Sequence, residues 1–249
     1  MIHTVRIFLV LLLCYGSAAG ATNQALTPQE ILRQSDEARG NLAGVTWTVD
    51  MVAIESGSTN TRRVLVKARG FDVFAVTEAP PRRKGDTLIM VKGNMWFYQP
   101  NVSKPVPISR RQKLLGKAAN GDIAATNYAE DYAVESLSEG KHDDEPCYVF
   151  DLKALTSVST YSKIRYWVSK ERLVGTKAEY YTATGGKLIK SAFMAFDNRV
   201  TTDRGERPFI SRMLITDELT SKDTTTLSFS EPRFTSISDD IFNLNLLTR

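Results

Sequence analysis

Few side chains in this sequence have the types and spacing that chemistry needs. His142 stands in Lys141-His142-Asp143-Asp144-Glu145. An imidazole among carboxylates can hold a metal, but no second nitrogen or sulfur donor follows at ligand spacing. Its turn-forming neighbours place it at a solvated hairpin tip. Cys147 lies inside the apolar run Cys147-Tyr148-Val149-Phe150 and reads as a buried small hydrophobe rather than a nucleophile. H-E-x-x-H, G-x-S-x-G, Walker, G-x-G-x-x-G and C-x-x-C patterns are all missing from the sequence. A pair of carboxylates converging in space is the one hydrolytic arrangement the composition leaves open. No catalytic residue, metal ligand or cofactor is therefore assigned. The basic clusters Arg62-Arg63, Arg82-Arg83-Lys84 and Arg110-Arg111 read as solvated edges and loops. A net charge of +4, with both signs interspersed, does not resemble a nucleic-acid-binding stripe.

The N-terminal stretch bears on compartment. Arg6 precedes the apolar run Ile7–Leu13, and Ser17-Ala18-Ala19-Gly20-Ala21 offers a small-residue cleavage site after Ala21. The apolar core is too short to span a bilayer as a helix. Residues 1–21 are accordingly read as a signal peptide and residues 22–249 as one exported domain. Cys14 follows Leu13, whereas lipid modification of a cysteine needs a small residue before it, so Cys14 is assigned to the signal. A single remaining thiol cannot form an internal disulfide.

Elements that would position any site follow from periodicity. Thr27, Pro28 and Glu30 form a capping box with proline at the first helical position, and Ile31, Leu32 and Ala38 supply a short apolar stripe before Gly40. From Val45 onward the chain alternates like half-buried strands, as in Trp47/Val49/Met51/Ala53 and Val64/Val66/Ala68. About a dozen such runs, joined by short turns, predict an antiparallel meander. Phe71–Thr77, Thr87–Val91 and Met95–Tyr98 are apolar at both parities, so both of their faces must be covered. A curved sheet with a filled inner surface and an ordinary β-sandwich satisfy that pattern equally. Residues 110–116 are read as a short helix. The following stretch to Tyr132 is small, polar and turn-rich, and too long for a hairpin loop. Ser238 is placed as the cap of a last turn docked on the sheet.

Three segments carry a resemblance. They are the Thr27-Pro28-Gln29-Glu30-Ile31-Leu32 helix ending at Arg39-Gly40, the strand Lys92–Pro100, and Gly121-Asp122-Ile123-Ala124-Ala125-Thr126-Asn127-Tyr128-Ala129-Glu130-Asp131-Tyr132. On them the chain resembles the bacterial outer-membrane lipoprotein-sorting family, the LolA-like superfamily, in a branch apart from its founding carriers. The resemblance implies a mainly β fold with few helices. Its curved antiparallel sheet forms an unclosed half β-barrel whose concave face is covered by helices. It further implies a periplasmic, monomeric carrier or chaperone that is not an enzyme. Such a carrier would hold lipid or lipoprotein acyl chains in an apolar cavity, receive them from an inner-membrane exporter and pass them to an outer-membrane acceptor. On this view Trp47, Val49 and Met51 are cavity wall, with Ile31 and Leu32 on the lid. Gly121, Asp122, Asn127, Tyr128, Asp131 and Tyr132 form a rim where a partner docks. The alternatives are a periplasmic sensor or regulator on the same scaffold and, less favoured, an envelope lipid hydrolase.

Overall fold

A computed structural model describes residues 26–124, 126–184, 186–219 and 223–246, so the signal-peptide reading lies outside the described residues. The first element, α1 (Pro28–Glu37), begins as its sequence dictates. Thr27 N–H and Glu30 Oε2 lie 2.7 Å apart, and Glu30 N–H returns to Thr27 Oγ1 at 3.3 Å. The helix is capped by Ala38, and Gly40 (φ +103°) turns the chain two residues later. A side chain at Gly40 would place its Cβ 2.7 Å from the Trp47 ring, so the glycine also makes room for the indole.

The strands then follow in a meander: β1 (Val45–Glu55), β2 (Ser58–Arg69), β3 (Asp72–Ala79), β4 (Thr87–Val91), β5 (Asn94–Tyr98) and β6 (Val106–Ile108). A covering segment holds the small hairpin β7 (Lys113–Leu115) and β8 (Ala118–Ala119), then the one-turn helices α2 (Asn120–Ile123) and α3 (Tyr128–Asp131). A second meander comprises β9 (Tyr132–His142), β10 (Glu145–Ala154), β11 (Lys163–Ser169), β12 (Gly175–Tyr181) and β13 (Leu188–Ala195). A side hairpin, β14 (Asn198–Thr202) with β15 (Gly205–Phe209), precedes β16 (Arg212–Asp217) and β17 (Thr224–Phe234).

Thirteen strands form one antiparallel sheet in the order β6-β5-β4-β3-β2-β1-β17-β16-β13-β12-β11-β10-β9. The two meanders join at the β1–β17 pair, and the edges β6 and β9 remain unpaired with each other, so the sheet does not close. Chain continuity then requires the segment from β6 to run from one edge to the other. It does so across the inner face, and α1 lies beside it. This is the half-barrel architecture with a covered concave face, not a sandwich.

Register explains the two faces. Trp47, Val66, Ala75, Leu88 and Phe97 stand opposite one another in a single inward row across five strands. Val49, Phe229 and Val64, then Met51, Leu227 and Met213, extend the same face. Outward positions mix exposed apolar side chains such as Val52 and Ile54 with paired polar ones, as in the two-pronged Arg63–Asp50 contact at 2.7 Å. The doubly apolar strand β4 is covered from outside by the C-terminal 3-10 turn Asp239–Phe242, whose Phe242 is buried and contacts the β3–β4 region. Ser238 caps that turn through Asp240 N–H at 3.3 Å.

One expectation fails and a second holds in part. Residues 110–116 do not form a helix, because Arg110 is held by side-chain bonds in a turn and Lys113–Leu115 pairs as strand with β8. His142 does close the β9–β10 hairpin, with Asp143 and Asp144 exposed at its tip, but its own ring is mostly covered, stacked on Phe193 at 5.5 Å. Cys147 is a free, fully buried thiol whose pKa is pushed up by burial, in keeping with an inert hydrophobe. Among the described residues no group of three or more His, Cys, Asp or Glu is arranged to hold a metal.

Candidate functional site

The space between the sheet and its cover is the candidate site, and it has a closed part and an open part. In the closed part, α1 is bound to the sheet and to the crossing segment through side chains. Ser35 Oγ and the Tyr166 hydroxyl lie 2.7 Å apart. Ala129 N–H donates to Asp36 Oδ2 at 2.9 Å, Gln29 Nε2 donates to the Ala129 carbonyl at 2.9 Å, and Asn41 Nδ2 donates to Asn127 Oδ1 at 3.2 Å. Ile31, Leu32, Trp47, Val49 and Met51, the wall and lid candidates, are all within 2% of complete burial. They all belong to one buried apolar core, and that interior is filled rather than hollow.

What fills it is the Gly121–Tyr132 stretch. Gly121 packs so closely on the loop before β11 that an added Cβ would lie 2.2 Å from Thr160 Oγ1. Asp122 accepts the Ala119 N–H at 2.7 Å and the Tyr161 hydroxyl at 2.9 Å. Tyr132 donates to the Tyr161 carbonyl at 3.1 Å and accepts the Tyr161 N–H at 3.2 Å. Tyr128 meets Tyr132 and Tyr166 edge-on, with ring centroids 5.2 and 5.1 Å apart. Asp131 receives Arg110 Nη1 at 2.7 Å, which takes Arg110 out of solvent, contrary to the reading of its cluster as a solvated loop. The stretch assigned as a docking rim is covered at some positions and accessible at others. Asp122, Tyr128 and Tyr132 are buried, Gly121, Asn127 and Asp131 half-buried, and of the described residues 121–132 only Glu130 is exposed. Inward-facing aromatics make this stretch a plug on the apolar face, while Glu130 and parts of Gly121, Asn127 and Asp131 stay accessible from outside.

The plug is closed at an electrostatic cost. The Arg39 guanidinium is buried, 5.5 Å from the Tyr128 ring centroid, with Nη1 lacking any hydrogen-bond partner and Nη2 reaching only Met213 Sδ at 3.9 Å. Asp36 Oδ1 and Trp47 Nε1 are also buried without partners. Burial pushes the Asp36 pKa up from 3.8 to about 7 and raises that of Asp122. Each orphaned buried polar atom costs about 1–3 kcal/mol. Closure therefore spends part of the apolar gain, and a cavity of about 20 Å³, lined by Arg39, Asp122, Tyr128 and Tyr161 among others, remains inside.

The open part lies where the crossing hairpin rises from the sheet. A groove of about 450 Å³ has Leu88, Phe97, Ile108 and Leu114 on its apolar surface and Arg62, Arg83 and Lys113 around it. Its volume is within the usual range of small-ligand sites, about 300–1,000 Å³. Arg62 stands directly opposite Met51 in the β1–β2 register, which places the groove beside the buried wall. Sequence reasoning missed these residues by treating Arg62-Arg63 as one solvated pair. Parity was the available signal: Arg62 shares the inward face of Val64, Val66 and Ala68, whereas Arg63 points outward to Asp50.

An unclosed antiparallel half-barrel with a helix and a crossing segment over its inner face defines the class: a LolA-superfamily fold. A LolA superfamily protein from Nitrosomonas europaea superposes with a TM-score of 0.78 at 29% identity, covering 89% of this chain and 100% of that one. A putative outer membrane lipoprotein-sorting protein domain from Vibrio parahaemolyticus gives 0.74 at 20% identity, with 89% and 98% covered. A DUF1329 family protein from Desulfovibrio piger gives 0.71 at 20% identity, with 88% and 97% covered. No curated protein sequence matches the chain. Residues 72–249 match a family model whose description is "Uncharacterized protein"; the chain belongs to that family, within the LolA-like superfamily.

Proposed function

We propose that this protein is a bacterial envelope carrier that shelters the acyl chains of a lipid or lipoprotein between its sheet and its cover. Its support is the combination of a continuous apolar inner face with a cover tied down by apolar packing and side-chain hydrogen bonds and closed over unpartnered polar atoms. Such a cover is displaceable at modest cost, while each methylene buried beneath it gains about 0.8 kcal/mol. A chain would enter by the groove at Leu88 and Phe97 and pass under the β7–β8 hairpin. Met51, Val49 and Trp47 then meet it from the sheet, and Ile31 and Leu32 from the helix. In this reading residues 1–21 direct export, residues 22–249 act as a single monomeric domain in the periplasm, and the protein is not an enzyme. An inner-membrane exporter loads it, and an outer-membrane acceptor is the destination. Lifting the cover exposes Tyr128, Asp131 and the rest of the 121–132 stretch, coupling occupancy to what a partner sees. A sensor that docks a partner on this stretch in the empty state is disfavoured by its burial.

The test is native mass spectrometry of residues 22–249 purified from a bacterial periplasm without detergent. A discrete added mass, extractable as acyl lipid and lost in a folded Phe97→Asp or Leu114→Asp variant, is expected. A clean apo mass that does not change on adding lipid or acylated peptide would overturn the carrier reading.

A further inference from the structure

We propose that the open groove is a seat for the phosphate headgroup of an anionic lipid, with Arg62 as its anchoring cation. The proposal rests on the carrier reading and adds the charge class of the cargo. Three cations surround the groove, and two already have acidic partners. Arg83 Nη1 lies 3.2 Å from Asp86 Oδ2, an oxygen pair held on the sheet by the further bond from Gln99 Nε2 at 3.4 Å to Asp86 Oδ1. Lys113 Nζ reaches both oxygens of Glu55 at 2.7 and 3.0 Å. Arg62 differs. It is half-buried, its Nε is shielded from solvent with no hydrogen-bond partner, and no carboxylate among the described residues forms an ion pair with it.

A guanidinium in that setting needs an explanation. Burial and the nearby charges of Arg83 and Arg82 act against its ionised form, and Asp86 offsets them only in part. Nothing in the packing requires a cation here, because the inward neighbours on the same strand are Val64 and Val66. An incoming anion would supply the missing counter-charge, and a phosphate matches the planar fork of an arginine through two parallel N–H bonds. Leu88, Phe97, Ile108 and Leu114 line the same groove. Positive charge beside apolar surface in one open cleft is complementary to an anionic headgroup joined to an acyl chain. A free phosphate would use the cation but leave the apolar part uncovered. Arg63 provides an internal control, since it is adjacent in sequence, equally charged, and turned to the outer face in a bond with Asp50.

The experiment titrates residues 22–249 with lysophosphatidic acid and a monoacylglycerol carrying the same fluorescent acyl chain, and separately with inorganic phosphate. Lysophosphatidic acid is expected to bind roughly ten- to a hundredfold tighter, the size of a charge-assisted hydrogen bond. Arg62→Gln should reduce that ratio to near one, through weaker binding of lysophosphatidic acid and little change for the monoacylglycerol, which carries no phosphate. Arg62→Lys should keep part of it, and Arg63→Gln all of it, with folding checked by circular dichroism. Equal binding of the two lipids by the wild type would overturn the headgroup assignment and leave the carrier reading standing. An equal loss in R62Q and R63Q would also overturn it, by tracing the preference to net charge. Inorganic phosphate binding as tightly as the acidic lipid would assign the cleft to a free anion instead. Binding of neither lipid would remove both readings together.

Discussion

Replacing Asp36 with asparagine tests whether the cover closes over a neutral carboxyl. The side chain is buried near the end of α1, with Oδ2 accepting Ala129 N–H at 2.9 Å and Oδ1 unpartnered. Burial is the largest influence and carries the pKa from 3.8 to about 7, against the opposing bonds from Ala129 and Tyr128 and the charge of Arg39. Because the folded pKa lies above the unfolded one, the native state holds a proton that the unfolded chain has released across this interval. The associated stability is complete below pH 3.8 and is lost as pH rises through about 7. At about 1.4 kcal/mol per unit, the shift amounts to about 4 kcal/mol between pH 4 and pH 8. Asparagine keeps an acceptor for Ala129 N–H and never ionises. D36N should therefore match the wild type near pH 4 within about 1 kcal/mol and exceed it by up to about 4 kcal/mol at pH 8. Urea unfolding at several pH values, followed by circular dichroism, reads the difference directly. Asp122, also raised by burial, contributes to the slope of both proteins and cancels in their comparison. Curves for the two proteins that stay parallel from pH 4 to pH 8, or a D36N variant weaker at pH 8, would refute the reasoning.

Other substitutions probe the cover at separate points. Gly121→Ala forces a methyl to within 2.2 Å of Thr160 Oγ1 and should cost about 1–3 kcal/mol in urea unfolding, with Thr160→Ala restoring part of it. Tyr128→Ala empties the centre of the aromatic plug and should cost about 3–5 kcal/mol, while a fluorescent acyl probe then enters faster. Arg39→Met removes the buried positive charge that favours the ionised forms of Asp36 and Asp122 and should lower the urea midpoint above pH 7, by an amount equivalent to about 3–5 kcal/mol. Arg63→Ala, on the exposed outer face, should leave the urea midpoint essentially unchanged, despite the two-pronged geometry of its ion pair, because solvent screens it.

The parts of this protein legible in its sequence are those governed by neighbours along the chain. Thr27, Pro28 and Glu30 satisfy a helix start within one turn, so the helix could be placed before any tertiary contact was known. Alternation in Val45–Glu55 and Ser58–Arg69 follows from the two-residue period of a strand, and it correctly sorted Trp47, Val49 and Met51 onto the inner face. The same alternation contained the inward position of Arg62, though a pair of adjacent arginines draws attention to charge before parity. Residues 109–132 were opaque for a different reason. Small and polar composition describes a loop equally well on a rim or in an interior, and only the sheet topology separates the two. Because β6 and β9 sit on opposite edges of an unclosed sheet, the chain between them must cross the apolar face. That crossing turns Tyr128 and Tyr132 inward and brings Arg110 to Asp131, twenty-one positions away. It also sets Arg39 beside tyrosines from β11 and β12. Sequence alone thus determined the elements and their apolar faces through short-range periodicity and capping. The tertiary structure alone decided that the inner face is plugged and where it stays open, because those outcomes depend on contacts between residues far apart in the chain.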